Sequence, residues 1–385
     1  MTRKVSKNVK RSAEGKRRIV VKAGTNVLTG GSDGVDLRVM KPLVDQISRL
    51  KHDGNEILIV TSGAVAAGRE VLGKPEPRRD IPYRQVLAAV GQSRLMNTYQ
   101  EMFSEHNLVL AQALLTRNDI DDWQGYLNVR DTLLSLLSMG VIPVINENDV
   151  VNTEELGAEV FGDNDTLSAL VSNLVDADLL IMLTDIDGLY TSDPSIDTNA
   201  GFIPIVNEDN LNQIMGILET KETLHSWSRG GIKTKIEAAM LATRWGVEVV
   251  IASGLHTDVL YRVVNGDPEG TIFKPSGNKM ESRKRWFLSG VSAKGKIIVD
   301  EGAADALKRT GSLLPVGVQE VSGDFQRRDV VLIVDNQGRS VAYGITNYSV
   351  QDVDLIKGLR SSSIEDKLGH EYGAEVVHRN NLVML

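Results

Sequence analysis

A lysine stands directly after an apolar run near the start of the chain, where Lys22 follows RIVV and precedes Ala23-Gly24-Thr25-Asn26. Other apolar runs end in the same way. Polar or glycine-rich segments follow them at 61–64, 146–149, 184–188 and 253–254. Strands of an open α/β sheet bind ligands at their carboxyl ends, so the five segments together favour a ligand site. The alternative is that each segment is only the turn that any strand requires.

Two further polar segments precede helical patterns. Asp163, Asn164 and Asp165 lead into LSALVSNL, and any of them could cap that helix or belong to a site. The segment from Ser228 to Lys235 leads into IEAAMLATRWG and contains paired glycines and two lysines. Backbone N–H groups at a helix start, with nearby lysines, form a plausible phosphate site, although a plain turn explains the glycines nearly as well. The Walker A pattern GxxxxGK[ST] is absent.

The elements that must position these residues follow from periodicity. Short apolar runs alternate with longer amphipathic segments between residues 19 and 255, which predicts βαβ units, a mostly parallel open sheet and helices packed on it. The predicted strands are 18–22, 56–60, 109–115, 141–145, 178–183 and 247–252. After a predicted linker at 273–282, the runs GKIIVD, DVVLIVD and SVAYGIT predict a small β-rich barrel. We expect a tail at 1–18 and domains at 19–275 and 276–385.

Composition limits the possible functions. The 385 residues contain no cysteine, which excludes disulfides, thiolate zinc sites and a cysteine nucleophile, and the six histidines show no metal-ligand spacing. The net charge is +7 in residues 1–18, +1 in 276–385 and −16 between them, so an anionic ligand must be held by local groups. The basic start is either a flexible tail or an organelle-targeting segment. No apolar run has the length of a membrane span.

The polar segments also resemble a known family. The patterns K-x-G-T-x-V-L-T-G, V-T-S-G-A-V-A-A-G, V-I-N-E-N-D, G-D-N-D-x-L-S-A-L and L-T-D-x-D-G-L-Y occur in this order, followed by G-G-x-x-T-K. This set resembles the amino-acid kinase superfamily, and within it the glutamate 5-kinase family. The C-terminal segments 283–286, 300–303, 312–315 and 369–373 resemble the PUA domain found on many members of that family.

The resemblance implies that the γ-phosphoryl group of ATP is transferred to the side-chain carboxylate of L-glutamate, in the first step of proline synthesis. The products would be L-glutamyl 5-phosphate and ADP. A carboxylate is already ionised at pH 7, so this transfer needs no general base. By the same resemblance, Lys22 and Lys235 are the catalytic cations on the transferred phosphoryl group, and Asp165 orients them.

The resemblance assigns binding residues as well. Glutamate would be bound by Ser62, Asp149 and Asn164. The nucleotide would be bound by Lys22, Gly24, Thr25, Thr184, Asp185, Arg229, Gly230, Gly231, Ile232, Lys233, Thr234 and Lys235. The family often has G-x-G-G where this chain has Ser228-Arg229-Gly230-Gly231, which affects the expected shape of the nucleotide loop.

The remaining expectations concern cofactors and partners. Mg²⁺ would be carried on the ATP phosphates rather than by a dedicated protein site. The resemblance implies a cytoplasmic homo-oligomer, with direct transfer of its product to a glutamyl-phosphate reductase as a hypothesis. Two alternatives stay open. The chain could bind RNA through its PUA domain, with the basic residues 283–285 and Trp286 as a contact surface, or it could phosphorylate another acid or a phosphate substrate.

Overall fold

The computed structural model describes residues 16–73, 81–121, 123–151, 164–192, 194, 197–218, 232–267, 269–275, 293–309 and 311–385. The chain divides into two compact units, Met1–Gly277 and Asn278–Leu385. Several predictions lie outside the described residues: most of the basic tail, most of the linker at 273–282, and the basic segment at 283–286. None of the helices in the described part is long and apolar enough to span a membrane.

The first unit alternates strands and helices. Its strands are β1 (Arg18–Ala23), β2 (Glu56–Thr61), β3 (Leu110–Leu115), β4 (Ile142–Glu147), β5 (Leu179–Thr184), β6 (Leu189–Tyr190), β7 (Phe202–Ile203), β8 (Ile205–Val206), β9 (Glu248–Ser253) and β10 (Thr271–Phe273). Its described helices are α1 (Thr25–Thr29), α2 (Leu37–His52), α3 (Ala64–Val71), α4 (Ile81–Ser104), α5 (Arg117–Asp121), α6 (Trp123–Ser138), α7 (Asn164–Leu174), α8 (Glu208–Leu218), α9 (Ile232–Arg244) and α10 (Val259–Asn265).

Eight of these strands form one sheet in the order β3-β4-β2-β1-β5-β9-β10-β8. The first six strands in that order run parallel, and β10 pairs antiparallel with β9. The predicted α/β class and all six predicted strands are confirmed, with shifts of one or two residues at their ends. The short strands β6, β7, β8 and β10 were not predicted, because two or three residues are too few to show alternation.

The core of the first unit explains why the central strands read as apolar runs, whereas the edge strand β3 is only partly buried. Helices flank the sheet, and residues 19–21 of β1 are completely buried, as are residues 179–183 of β5. A strand that is covered on both faces has no exposed positions at which polar residues would alternate. The polar residues that follow each run therefore mark where the chain leaves the core.

The second unit is a separate, strand-rich fold with its own core. Its strands are β11 (Gly295–Val299), β12 (Val318–Gly323), β13 (Val330–Asp335), β14 (Ser340–Ile345) and β15 (Leu382–Met384), in the order β12-β11-β13-β14-β15. Its described helices are α11 (Glu301–Lys308), α12 (Val350–Ile356) and α13 (Ile364–Leu368). Phe325 and Tyr348 are fully buried in its core. The prediction of a β-rich second unit is confirmed, although β12 and β15 were not predicted.

Two glycines allow helices α3 and α4 to pack with their backbones in contact. A Cβ atom at Gly91 of α4 would overlap the carbonyl oxygen of Ala64, and a Cβ atom at Gly68 of α3 would overlap that of Leu87. Neither overlap involves a flexible side chain that could move away. The two helices can therefore approach this closely only with glycine at both positions, and α3 begins directly after the polar segment that follows β2.

We predict that Gly91→Ala lowers the free energy of unfolding by about 1–3 kcal/mol, because overpacking forces the helices apart. Gly216→Ala is the matched control, since Gly216 also lies in a helix but has open space where its Cβ would be. The control should be stabilised by about 0.5–1 kcal/mol, the difference between glycine and alanine inside a helix. Urea denaturation of both variants measures the two effects. A Gly91→Ala variant as stable as the wild type would contradict the packing argument.

Candidate active site

One buried carboxylate holds two lysines at the carboxyl edge of the sheet. Asp165 Oδ1 lies 2.5 Å from Lys22 Nζ, and Asp165 Oδ2 lies 3.1 Å from Lys235 Nζ. Thr234 Oγ1 donates a third hydrogen bond to Asp165 Oδ2, at 3.1 Å. Relative exposure is 4% for Lys22, 1% for Asp165 and 8% for Lys235. These residues are far apart in sequence, so the fold brings the three predicted catalytic residues into direct contact.

Each of the three charged side chains is held by a regular element. Lys22 is the fifth residue of β1, which lies between β2 and β5 in the sheet. Asp165 is in the first turn of α7, where the partial positive charge of the helix N-terminus favours a carboxylate. Lys235 is in the first turn of α9, where the same effect disfavours an ammonium. The contact with Asp165 offsets that unfavourable placement.

Asp165 is therefore charged at neutral pH in spite of its burial. Burial alone would raise the pKa of its carboxyl group, but the charges of Lys22 and Lys235, together with their hydrogen bonds, outweigh that effect. The pKa of Asp165 consequently lies below its ordinary value. The cluster has one negative and two positive charges, and its excess positive charge suits a phosphate ligand.

The cluster lies in a cleft of about 670 Å³. Predicted site residues that line this cleft are Lys22, Gly24, Thr25, Ser62, Asp149, Asn164, Asp165, Thr184, Asp185, Thr234 and Lys235. A Cβ atom at Gly24 would lie 3.3 Å from Lys22 Nζ, so glycine leaves the ammonium accessible beside the backbone. The cleft combines most of the residues that the sequence had indicated separately.

Neutral polar groups line the side of the cleft formed by β2 and β4. Asn164 Nδ2 donates to Ser62 Oγ at 3.0 Å and to Asn146 Oδ1 at 3.2 Å. The Asn146 side chain is nearly fully buried at the end of β4. Asp149 lies three residues further along and adds a carboxylate to the same wall. Carboxylate, amide and hydroxyl groups together can bind an amino acid through both its ammonium and its carboxylate groups.

The opposite side of the cleft is formed by the end of β5 and the start of α1. Asn26 Nδ2 donates to Asp185 Oδ2 at 3.2 Å, and Thr184 Oγ1 donates to Asp185 Oδ1 at 3.1 Å. These bonds connect the segments after β1 and β5, two adjacent strands of the sheet. β1 lies between β2 and β5, so Lys22 lies between the side formed by β2 and β4, called the amino-acid wall below, and this second polar wall.

Some predicted residues are placed elsewhere. Ile232 is buried in α9 and does not line the cleft, and Lys233 is exposed, with its Nζ 3.8 Å from Glu237 Oε1. Arg229, Gly230 and Gly231 lie outside the described residues. The structure also adds lining residues to which the sequence analysis gave no individual role: Asn26, Asn146 and Glu147, which lie in the predicted ligand segments, and Arg69 and Arg84, which do not. Asn146 could have been found, because it begins the polar segment directly after VIPVI.

The carboxylates of the site fit a metal ion that arrives with its ligand. Within the described residues, no group of three or more His, Cys, Asp or Glu side chains is placed to hold a metal ion. Asp165 already contacts two lysines. Carboxylate oxygens are ligands that Mg²⁺ accepts, so Asp185 would be able to contribute an oxygen to a Mg²⁺ ion carried on phosphates.

Comparison with known proteins agrees with this geometry. The model of the amino acid kinase family matches residues 17–253, and the model of the PUA domain matches residues 295–368. The first match covers more than half of the chain, so the chain is a member of the amino acid kinase family and has its fold. Glutamate 5-kinase from Dehalococcoides mccartyi (strain CBDB1) is 48% identical over 372 residues, covering 96% of this chain and 98% of that protein.

Two other relatives show the same coverage of nearly the whole chain. Glutamate 5-kinase from Citrifermentans bemidjiense is 47% identical over 96% of this chain and 98% of its own length. Glutamate 5-kinase from Vibrio parahaemolyticus is 45% identical over 95% of this chain and 96% of its own length. The chain belongs to the glutamate 5-kinase family, within the amino acid kinases that carry a C-terminal PUA domain.

We predict that Asp165→Asn lowers the free energy of unfolding by about 3–5 kcal/mol at pH 7, because two buried ammonium groups lose their counter-charge. The folded-state pKa of Asp165 lies below the ordinary 3.8, so its contribution is complete above that value and is lost only as the pH falls through the folded-state pKa. Urea denaturation should therefore give the same loss at pH 8 and at pH 5.

Asp354→Asn is the control for this measurement. Asp354 forms an ion pair of 2.5 Å with Lys357, but both side chains are solvent-exposed. Removing such a pair should cost less than about 1 kcal/mol. A loss for Asp165→Asn that is no larger than the control, or that shrinks between pH 8 and pH 5, would show that the buried cluster is not held by an ionised carboxylate.

Proposed function

We propose that this chain transfers the γ-phosphoryl group of ATP to the side-chain carboxylate of L-glutamate, which yields L-glutamyl 5-phosphate and ADP and begins proline synthesis. The observation that carries the proposal is the Lys22–Asp165–Lys235 cluster, at the middle of a cleft with one wall suited to an amino acid. Membership of the glutamate 5-kinase family supports the same conclusion.

In this reaction two anions, the glutamate carboxylate and the ATP phosphates, must approach each other. The positive charges of Lys22 and Lys235 offset their repulsion. Their ammonium groups stabilise negative charge on the transferred phosphoryl group and on the oxygen that leaves with ADP. Asp165 positions both lysines without neutralising them completely. Because its pKa lies below the ordinary value, Asp165 stays ionised at neutral pH and is not a proton donor. The glutamate carboxylate is itself ionised, so no residue has to act as a general base.

The two walls of the cleft suggest where each substrate binds. Asp149 and Asn164 offer oxygen acceptors to the α-ammonium group of glutamate, and the Ser62 hydroxyl can donate to one of its carboxylates. Gly24, Thr25, Thr184 and Asp185 lie on the ATP side, and Arg229, Gly230 and Gly231 are part of the proposal although they lie outside the described residues. When bound, Mg²⁺ on the phosphates would neutralise further charge on the phosphoryl oxygens.

The product suggests where and with which partner the enzyme acts. An acyl phosphate hydrolyses or cyclises readily, so direct transfer to a glutamyl-phosphate reductase would reduce its loss. We include this transfer, assembly as a homo-oligomer, and action in the cytoplasm, where ATP and glutamate are available, in the proposal. If the purified kinase and reductase neither associate nor increase each other's flux, the direct transfer does not occur.

We predict that the purified protein releases ADP from ATP and Mg²⁺ only when L-glutamate is present, and that hydroxylamine traps an acyl phosphate in the same mixture. A panel that also contains L-aspartate, N-acetylglutamate and UMP distinguishes glutamate from other acceptors of the same fold. ADP release that depends on another member of the panel would change the substrate. No acceptor-dependent release at any pH or salt concentration would remove the kinase proposal.

We predict that Lys22→Ala and Lys235→Ala each lower kcat by a factor of about 10²–10³, because each removes a cation that stabilises the transition state. Lys41→Ala is the matched control, since Lys41 lies in the same unit but is exposed and paired with Glu105. Its kcat should stay within twofold of the wild type. Circular dichroism must show that all three variants are folded. Near-normal kcat for folded Lys22→Ala would refute the role of this lysine.

A further inference from the structure

A chain of neutral hydrogen bonds crosses the amino-acid wall and continues behind it into helix α4. Its members are Ser62, Asn164, Asn146 and Gln92, which come from four different elements. Ser62, Asn164 and Asn146 line the cleft, whereas Gln92 lies behind Asn146, whose Nδ2 donates to Gln92 Oε1 at 2.8 Å. Gln92 thus reaches the site only through Asn146.

The orientation of this chain is determined by one backbone group. The N–H of Glu147 donates to Asn146 Oδ1 at 2.9 Å, and a backbone N–H cannot act as an acceptor. Asn146 must therefore direct its Nδ2 at Gln92, and Gln92 must present Oε1 as the acceptor. Asn164 must likewise direct Nδ2 at Asn146 Oδ1, and the same nitrogen donates to Ser62 Oγ.

This orientation fixes what the wall can offer to a ligand. Asn164 Oδ1 is a buried acceptor with no hydrogen-bond partner among the described residues. Ser62 Oγ accepts from Asn164, so its own proton can be donated into the cleft. The wall thus provides an acceptor for an ammonium group, in the cleft that Asp149 also lines, and a donor for a carboxylate, and an amino acid requires both.

Gln92 is well placed to support this arrangement, because α4 packs against neighbouring elements on both sides of it. Gly91 packs against the backbone of Ala64, next to the loop that contains Ser62. Two turns further along α4, the Tyr99 hydroxyl and Thr61 Oγ1 form a buried hydrogen bond of 2.9 Å at the end of β2. Burial raises the pKa of Tyr99 to about 12, so this hydroxyl keeps its proton at physiological pH.

We propose that Gln92 is a positioning residue for glutamate: its side-chain oxygen accepts from Asn146 Nδ2 and so holds Asn146 and Asn164 in place, in the orientation that the Glu147 N–H sets. This inference rests on the proposed function. Without an acceptor at residue 92, Asn146 Nδ2 is buried without a partner, and the Asn146 side chain must shift or recruit water to satisfy it. A flip of the amide is no remedy, because it would place Nδ2 against the N–H of Glu147 and against Asn164 Nδ2. The loss of the acceptor therefore displaces Asn146, and with it Asn164.

The test compares steady-state constants for three variants. Gln92→Met keeps the length of the side chain but removes the oxygen, and it should raise KM for glutamate roughly 5- to 100-fold, with kcat and KM for ATP within twofold of the wild type. Gln92→Glu retains an oxygen and should stay within threefold of the wild type. Gln100→Met, an exposed position on the same helix, is the control and should change nothing.

Each outcome decides the proposal. An unchanged KM for glutamate in Gln92→Met, an equal rise in Gln92→Glu, or equal changes in the ATP and glutamate constants would overturn it. If Gln92→Met does not fold, Gln92→Asn replaces it, because the shorter amide cannot reach Asn146 and should raise KM in the same way. A wild-type protein that is inactive with glutamate would instead refute the proposed function, so the two failures are distinguishable.

Discussion

The ionic contact of Asp165 with Lys22 and Lys235 is the constraint on which the site depends. Burying two ammonium groups costs free energy unless a counter-charge is buried with them, and here a single carboxylate contacts both. It holds together a strand end and two helix starts that are far apart in sequence. Because one charge cannot cancel two, the cluster keeps a net positive charge, and this excess is available to a phosphate without a change in protonation.

The order of strands in the sheet explains how the cleft is divided. β1 carries Lys22 and lies between β2 and β5, so the lysine separates the segment after β2 from the segment after β5. β4 follows β2 on one side, which places Asn146 and Asp149 beside Ser62. In the proposed function, glutamate, phosphoryl group and nucleotide lie along the sheet edge in this order. A doubly wound sheet produces such an edge wherever strand order reverses around a central strand.

Much of this arrangement could be predicted from sequence, because apolar runs identify buried strands and polar breaks identify their carboxyl ends. The roles of Lys22, Asp165 and Lys235 were predicted from the family resemblance rather than from periodicity, and the structure brings the three residues together. The contribution of Gln92 could not be predicted, since a glutamine within LAAVGQSRL gives no sign of which amide it contacts 54 positions away. Periodicity shows that a residue is buried, whereas the direction of an amide depends on neighbours brought by the fold. The short strands were missed for lack of length.

The two halves of the site rely on different interactions, ionic in one and neutral hydrogen bonds in the other. This division fits the phosphoryl transfer and the amino-acid binding that we propose for them. Charged groups at Lys22, Asp165 and Lys235 act over several ångströms and tolerate small displacements, which suits a phosphoryl group that moves between two oxygens. The neutral hydrogen-bond chain through Ser62, Asn164 and Asn146 is directional. Each donor in it can form a hydrogen bond only with an acceptor that lies at the correct place. A wall of this kind discriminates between substrates, because a wrong substrate leaves the buried polar groups of the wall without hydrogen-bond partners. In the proposed function, rate would therefore depend mainly on the ionic cluster, and the choice of amino acid on the neutral hydrogen-bond chain that Gln92 supports.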